Sequence, residues 1–221
     1  VDNTGRSESS RVEAFSDGIF AIATTLLVLQ VAVKDPASVK NGADAWSQLG
    51  GIWASYDAYV VSFLVIGIMW LNHHTVFGYV ARVDRGLLVL NLLLLLVVAA
   101  LPFPTGLVSD WLRIPGAGKV AVAVFSGFMV AHAFTFQSLW WWLTRTGHLF
   151  DSRVDVAAAR ALRVRFAVGT VVYPLLFGLS FVSPVATLGL HGAMALYYAF
   201  NQLPIPLNPG AEADDEAVVS A

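Results

Sequence analysis

Cysteine is absent from the 221 residues, which excludes disulfides, thiolate metal sites and cysteine nucleophiles. Charge is scarce too: Asp, Glu, Lys and Arg together make up 13% of the chain, where a soluble domain carries about 25%. The net charge is −2, and no basic run is long enough to follow a phosphate backbone, so nucleic acid is excluded as a partner. No internal repeat is visible, and any symmetry must therefore come from oligomerisation. Residues 1–10 are polar and lack the basic stretch that precedes the apolar core of a signal peptide.

What the chain does contain is apolar: 57% of its residues are hydrophobic. A helix needs about 20 predominantly apolar residues to span a bilayer, so a chain this short can be a bundle of spans with short loops and little else. No room is left for a soluble catalytic domain, and no enzymatic activity is expected. Apolar segments run over Gly18 to Val33, Ile52 to Leu71, Leu87 to Leu107, Val120 to Leu143, Phe166 to Val182 and Val185 to Leu203. Lys34, Asp35 and Pro36 close the first, and Asn72, His73 and His74 end the second. The third should lose helical character near Pro102 and Pro104. Trp140, Trp141 and Trp142 end the fourth as an interfacial aromatic cluster, and Ser183 and Pro184 turn the fifth into the sixth. The pattern predicts an all-α integral membrane protein of six helices. It comprises a polar segment over 1–10, the spanning domain over 11–204 and a disordered acidic tail over 205–221 that carries Glu212, Asp214, Asp215 and Glu216.

Basic residues set the orientation. Arg6, Arg11, Arg82, Arg85 and the group from Arg145 to Arg165 fall on one side, against Lys34, Lys40, Arg113 and Lys119 on the other. The positive-inside rule puts both termini in the cytoplasm, in agreement with an even number of spans.

The segment from Arg11 to Leu29 holds the most chemistry. At about 100° per residue, Phe15, Gly18, Ile22, Thr25, Leu29 and Ala32 share one stripe with Leu26 on its flank. Asp17 and Ser16 point away from it. An Asp in a span costs on the order of 2.5 to 3.5 kcal/mol at the bilayer centre and needs a partner. Trp70, His73, His74 and Asn91 lie at the same depth and can supply one. Two readings of Ser16 and Asp17 stay open here, a helix start in the headgroup region or a polar brace inside the bundle. The stripe likewise reads as a packing seam or as the wall of a pore.

Arg11-x-x-x-Phe15-Ser16-Asp17, followed by Ile22, Thr25, Leu26 and Leu29, resembles the signature of the transmembrane protein 175 family of lysosomal potassium channels, in its bacterial single-repeat branch. The likeness continues in Trp70-Leu-Asn-His73-His74, in Leu90-Asn91 with the leucines to Leu96, and in Leu101-Pro-Phe-Pro104. The resemblance implies a homotetramer of six-helix subunits in a bacterial plasma membrane, with potassium as the permeant ion, no cofactor, and a central pore lined by the first helix. It assigns the constriction to Ile22, with Thr25, Leu26 and Leu29 beyond it, and a structural brace to Arg11, Phe15, Ser16, Asp17, Trp70, His73, His74 and Asn91. No T-V-G-Y-G segment exists in the chain, so a carbonyl filter is unavailable, and moderate potassium-over-sodium selectivity is expected. Ala23, about 100° from Ile22, is expected to tolerate Val without a change in selectivity.

Three other readings compete. An intramembrane Asp also suits a proton- or ion-coupled small-molecule transporter, though inverted repeats are lacking. Gly178-Leu-Ser180 with His191 suggests an intramembrane serine protease, at a spacing too long for a hydrogen bond. His73 and His74, adjacent on a helix, diverge too far to chelate one metal.

Overall fold

The computed structural model describes residues 3–31, 36–200 and 205–208. Among them α1, Asn3–Leu26, runs into a 3₁₀ turn, Leu27–Gln30, and a second such turn covers Pro36–Ser38. Then come α2 (Gly42–Gly51), α3 (Trp53–Phe77), α4 (Arg85–Ala100), α5 (Pro102–Trp111) and α6 (Ala117–Thr146). The short α7 (Val156–Ala161) and α8 (Arg163–Phe166) lead to α9 (Val168–Ser180) and α10 (Pro184–Phe200). Val33, Lys34, Asp35, Leu203 and the acidic residues beyond Gly210 lie outside the described residues.

Glu8–Gln30, Trp53–Phe77, Arg85–Trp111 and Ala117–Thr146 are long and apolar enough to cross a membrane. The expected fifth and sixth spans correspond to α9 and α10, helices of 13 and 17 residues joined by a tight turn, below the roughly 20 that a perpendicular span needs. The all-helical membrane class therefore stands, with four spans among the described residues.

Local chemistry explains where the elements differ from the sequence pattern. Asn41, in extended conformation, caps α2 by accepting from the Asp44 N–H at 3.0 Å. α3 passes through Asn72, His73 and His74 to Phe77, because the His73 ring is buried and bonded rather than solvated. The two prolines interrupt the third span for one residue, Leu101, instead of ending it. Pro102 opens α5, where a missing N–H costs nothing, and the Val98 carbonyl it cannot serve accepts from the Leu101 N–H at 3.1 Å. α6 is bounded by Gly116 and Gly147, both at positive φ, the conformation that glycine adopts without strain. The aromatic cluster at its end is divided. Trp140 is fully buried against Phe150, Trp142 donates from Nε1 to the Asp84 carboxylate, and Trp141 faces outward.

At the end of the bundle where α1 begins, the loops are stitched together. Ser9 Oγ donates to the Val80 carbonyl, Val80 pairs with Phe150, and the Asp151 N–H donates to Tyr79. Residues 205–208, expected to belong to a disordered tail, complete this strip. Leu207 pairs with Val154, Pro206 accepts from the Asp155 N–H, and the Ile205 side chain is buried.

Candidate functional site

α1 has two faces of opposite fate. Ser16, Phe20, Ala23 and Leu27 recur at helical spacing and are buried, at most 2% exposed. Phe15 (55% exposed), Ile22 (61%), Leu26 (40%) and Leu29 (68%) lie on the other side, with Gly18 and Thr25 also exposed. Only 22% of the apolar window of this span is buried, against 50% for that of Trp53–Phe77. An apolar face of this size is left for lipid or for another copy of the chain.

The buried face is fixed by polar contacts to α3 and α4. His73 Nε2 donates to Asn91 Oδ1 at 2.9 Å, Asn91 Nδ2 donates to Ser16 Oγ at 3.0 Å, and Ser16 Oγ donates to the Val12 carbonyl at 2.8 Å. The polarity is self-consistent. The single hydroxyl proton of Ser16 is committed to Val12, so its oxygen must accept from the amide, which turns Asn91 Oδ1 toward the imidazole. His73 stacks on Phe77 at 4.2 Å and lies 5.4 Å from Phe20, which holds the ring in one orientation.

A second contact set runs nearer the edge of the bundle. Trp70 Nε1 donates to Asp17 Oδ1 at 2.8 Å, and His74 Nδ1 lies 3.0 Å from Glu13 Oε1. Carboxylates four apart on α1 thus meet aromatic nitrogens four apart on α3, each pair on one helix face. Trp70 and His74 also stack on each other, with centroids 5.5 Å apart.

Of the residues assigned to a brace, the structure brings Ser16, Asp17, Trp70, His73, His74 and Asn91 together. Phe15 and Arg11 are exposed and take no part: Phe15 belongs to the outward stripe, and Arg11 lies on the surface of the α1 lead-in. Glu13 was not singled out in the sequence, although its i, i+4 relation to Asp17 was the available signal. Gln30 was also passed over. Its carbonyl lies 3.0 Å from Ser109 Oγ, which is 2.6 Å from Ser55 Oγ, so the 3₁₀ turn that follows α1 has a polar anchor of its own. Ala23 is 1% exposed and lies on the buried face, so Val there would add bulk to a packed site while staying off the outward stripe.

The protease reading loses its pair. Ser180 Oγ donates to its own Phe177 carbonyl, and His191 Nε2 meets Ser126 on α6 at 2.8 Å. Among the described residues no group of three or more His, Asp or Glu side chains converges as a metal site.

A helical membrane protein whose first span turns an apolar face outward while its opposite face is locked by buried polar bonds is thus defined by fold and site together. The family described as endosomal/lysosomal potassium channel TMEM175 matches residues 11–102, which contain both faces of α1 and all their partners on α3 and α4. A potassium channel of Streptomyces collinus is 61% identical over 93% of this chain and 98% of its own. One from Chamaesiphon minutus is 38% identical over 90% and 97%. The crystal structure of a lysosomal potassium-selective channel TMEM175 homologue from Chamaesiphon minutus superposes with a TM-score of 0.77 at 38% identity, covering 87% of this chain and 97% of that one. The chain belongs to the TMEM175 family.

Proposed function

We propose that the protein is a potassium-permeable cation channel of a bacterial plasma membrane, moderately selective for potassium over sodium. Four six-helix subunits surround a central pore lined by α1, with Ile22 as the hydrophobic neck, Thr25, Leu26 and Leu29 as rings beyond it, and both termini cytoplasmic. The observation that carries this reading is the exposed stripe from Phe15 to Leu29, set back to back with buried polar bonds that fix its direction. The names of the relatives support the ion. In this arrangement Ser16, Asn91 and His73 hold the wall, and the wall does the selecting. A ring of four Ile side chains offers no oxygen to a passing cation, so the ion crosses by shedding part of its hydration shell, or the neck dewets and closes. Potassium holds its water less tightly than sodium and passes at lower cost. Thr25 Oγ1 is bonded to the Ile22 carbonyl at 2.9 Å, which leaves its oxygen lone pairs for the ion.

Reversal potentials of the purified protein in liposomes or planar bilayers, under opposed potassium and sodium gradients, test the proposal. Steady current reversing near the potassium equilibrium potential is expected. Saturable solute flux without current would replace the channel by a coupled transporter.

A further inference from the structure

Three arginines converge where α6 ends and α9 begins, at the same end of the bundle as the start of α1. Arg160 donates from Nε and Nη2 to the Thr144 carbonyl at 3.2 and 3.0 Å. Arg163 donates from Nε to Thr144 Oγ1 at 2.7 Å and from Nη2 to the Trp141 carbonyl at 3.3 Å. Arg145 lies over the Trp141 ring, 4.9 Å from its centroid. Desolvation, reinforced by the like charges of Arg160 and Arg145, pushes the Arg163 guanidinium below its ordinary value, so the three cations sense one another.

No carboxylate answers them among the described residues. The acids nearby are engaged elsewhere: Asp84 with Trp142 and the Leu87 N–H, Asp155 with the first N–H groups of α7, Asp151 with Arg153. The carbonyl bonds use only part of each guanidinium, since each has five N–H donors. From this cluster an apolar line leads from α8 onto α9: Val164 in α8 and Val168, Val171 and Leu175 in α9 recur at four-, three- and four-residue spacing and are 79%, 39%, 62% and 67% exposed. A phosphate beside fixed guanidiniums, an indole at the boundary and an apolar stripe beyond it match, in order, the parts of a lipid that enters a bilayer.

We propose that Arg145, Arg160 and Arg163 form a binding site for the phosphate of an anionic phospholipid, whose acyl chains lie along Val164, Val168, Val171 and Leu175. The site is independent of what the pore conducts. Capping of the α6 carbonyls fixes two of the arginines in place, and Arg145 on Trp141 closes the third side.

Native mass spectrometry of the detergent-solubilised protein with phosphatidylglycerol or phosphatidylcholine tests this. Retention of phosphatidylglycerol in preference to phosphatidylcholine is expected. Each arginine near an anionic headgroup should contribute about fivefold to the preference, so Arg145→Gln lowers it by that factor. Arg145 touches only an indole face, so this variant keeps the α6 capping bonds and folds. Arg113→Gln, at the other end, where Arg113 donates to the Gly51 carbonyl, should change nothing. Equal retention of the two lipids would overturn the proposal, leaving the arginines as caps of α6. So would equal losses in both variants, or displacement of the lipid by glycerol 3-phosphate at matching concentration, which would make a soluble phosphate the ligand.

Discussion

Ile22 is 61% exposed in its own subunit, so its truncation avoids most of the 2 to 5 kcal/mol, roughly, that an Ile→Ala change costs in a core. Ile22→Ala and Ile22→Asn are therefore expected to leave the protein folded and the assembly intact. Both raise unitary conductance and bring the potassium/sodium permeability ratio toward unity, the first by widening the neck and the second by wetting it. Single-channel recording with reversal potentials checks this, and an unchanged ratio would take α1 out of the pore. Ala23 one position on behaves oppositely. Overpacking at this buried site costs about 1 to 3 kcal/mol, so Ala23→Val lowers the thermal midpoint without altering the ratio in what remains folded. Within the brace, Ser16→Ala removes the acceptor for Asn91 Nδ2 at a fully buried position and is expected to cost about 1 to 3 kcal/mol. Asp17→Asn keeps an oxygen for Trp70 Nε1 and should cost less. A thermal-shift series in detergent ranks the two, and a reversed order would dissolve the distinction between inner and outer contacts.

The start of α4 meets α6 closely. A Cβ on Gly86 would fall inside the indole of Trp142, and that ring is pinned by its bonds to Asp84, which also caps α4 at the Leu87 N–H. The ring cannot retreat without releasing the cap. Gly86→Ala is therefore expected to lose about 1 to 3 kcal/mol, seen as a lower thermal midpoint, whereas Gly18→Ala meets nothing nearby and should be neutral in the isolated subunit. The long apolar runs made α1, α3, α4 and α6 legible in the sequence, and the charged and Pro-rich breaks bounded them. Helical periodicity placed Ile22 and Ser16 on different faces of α1, but which face is buried came only with the structure, where Ser16 is 0% and Ile22 61% exposed. The chain did not display contacts that exist only between elements: the i, i+4 pair Glu13 and Asp17 finds its register against Trp70 and His74 once α3 is laid antiparallel beside it. α2 was missed because its apolar content is low, although Asn41 and Asp44 carried its cap.

At the scale of the whole molecule, the lack of cysteine becomes an experimental advantage. Leu29→Cys places one thiol per subunit on the exposed stripe, and a short bismaleimide should yield covalent dimers and nothing larger. Leu27→Cys, at a fully buried position, should yield none. Gel electrophoresis after denaturation separates the outcomes, and monomers in both cases would mean that α1 faces lipid. The strip that joins the loops has a bearing on biosynthesis. Ser9, near the start of the lead-in to α1, is fastened to Val80, Val80 to Phe150, and Val154 in turn to Leu207, a residue translated after every helix described here. The lead-in to α1 is thus held by a strip whose last piece is nearly 200 residues away in sequence. Fastening along the strip therefore waits on residues made after α10, so the lead-in to α1 gains its last anchorage only when the final described helix has been synthesised.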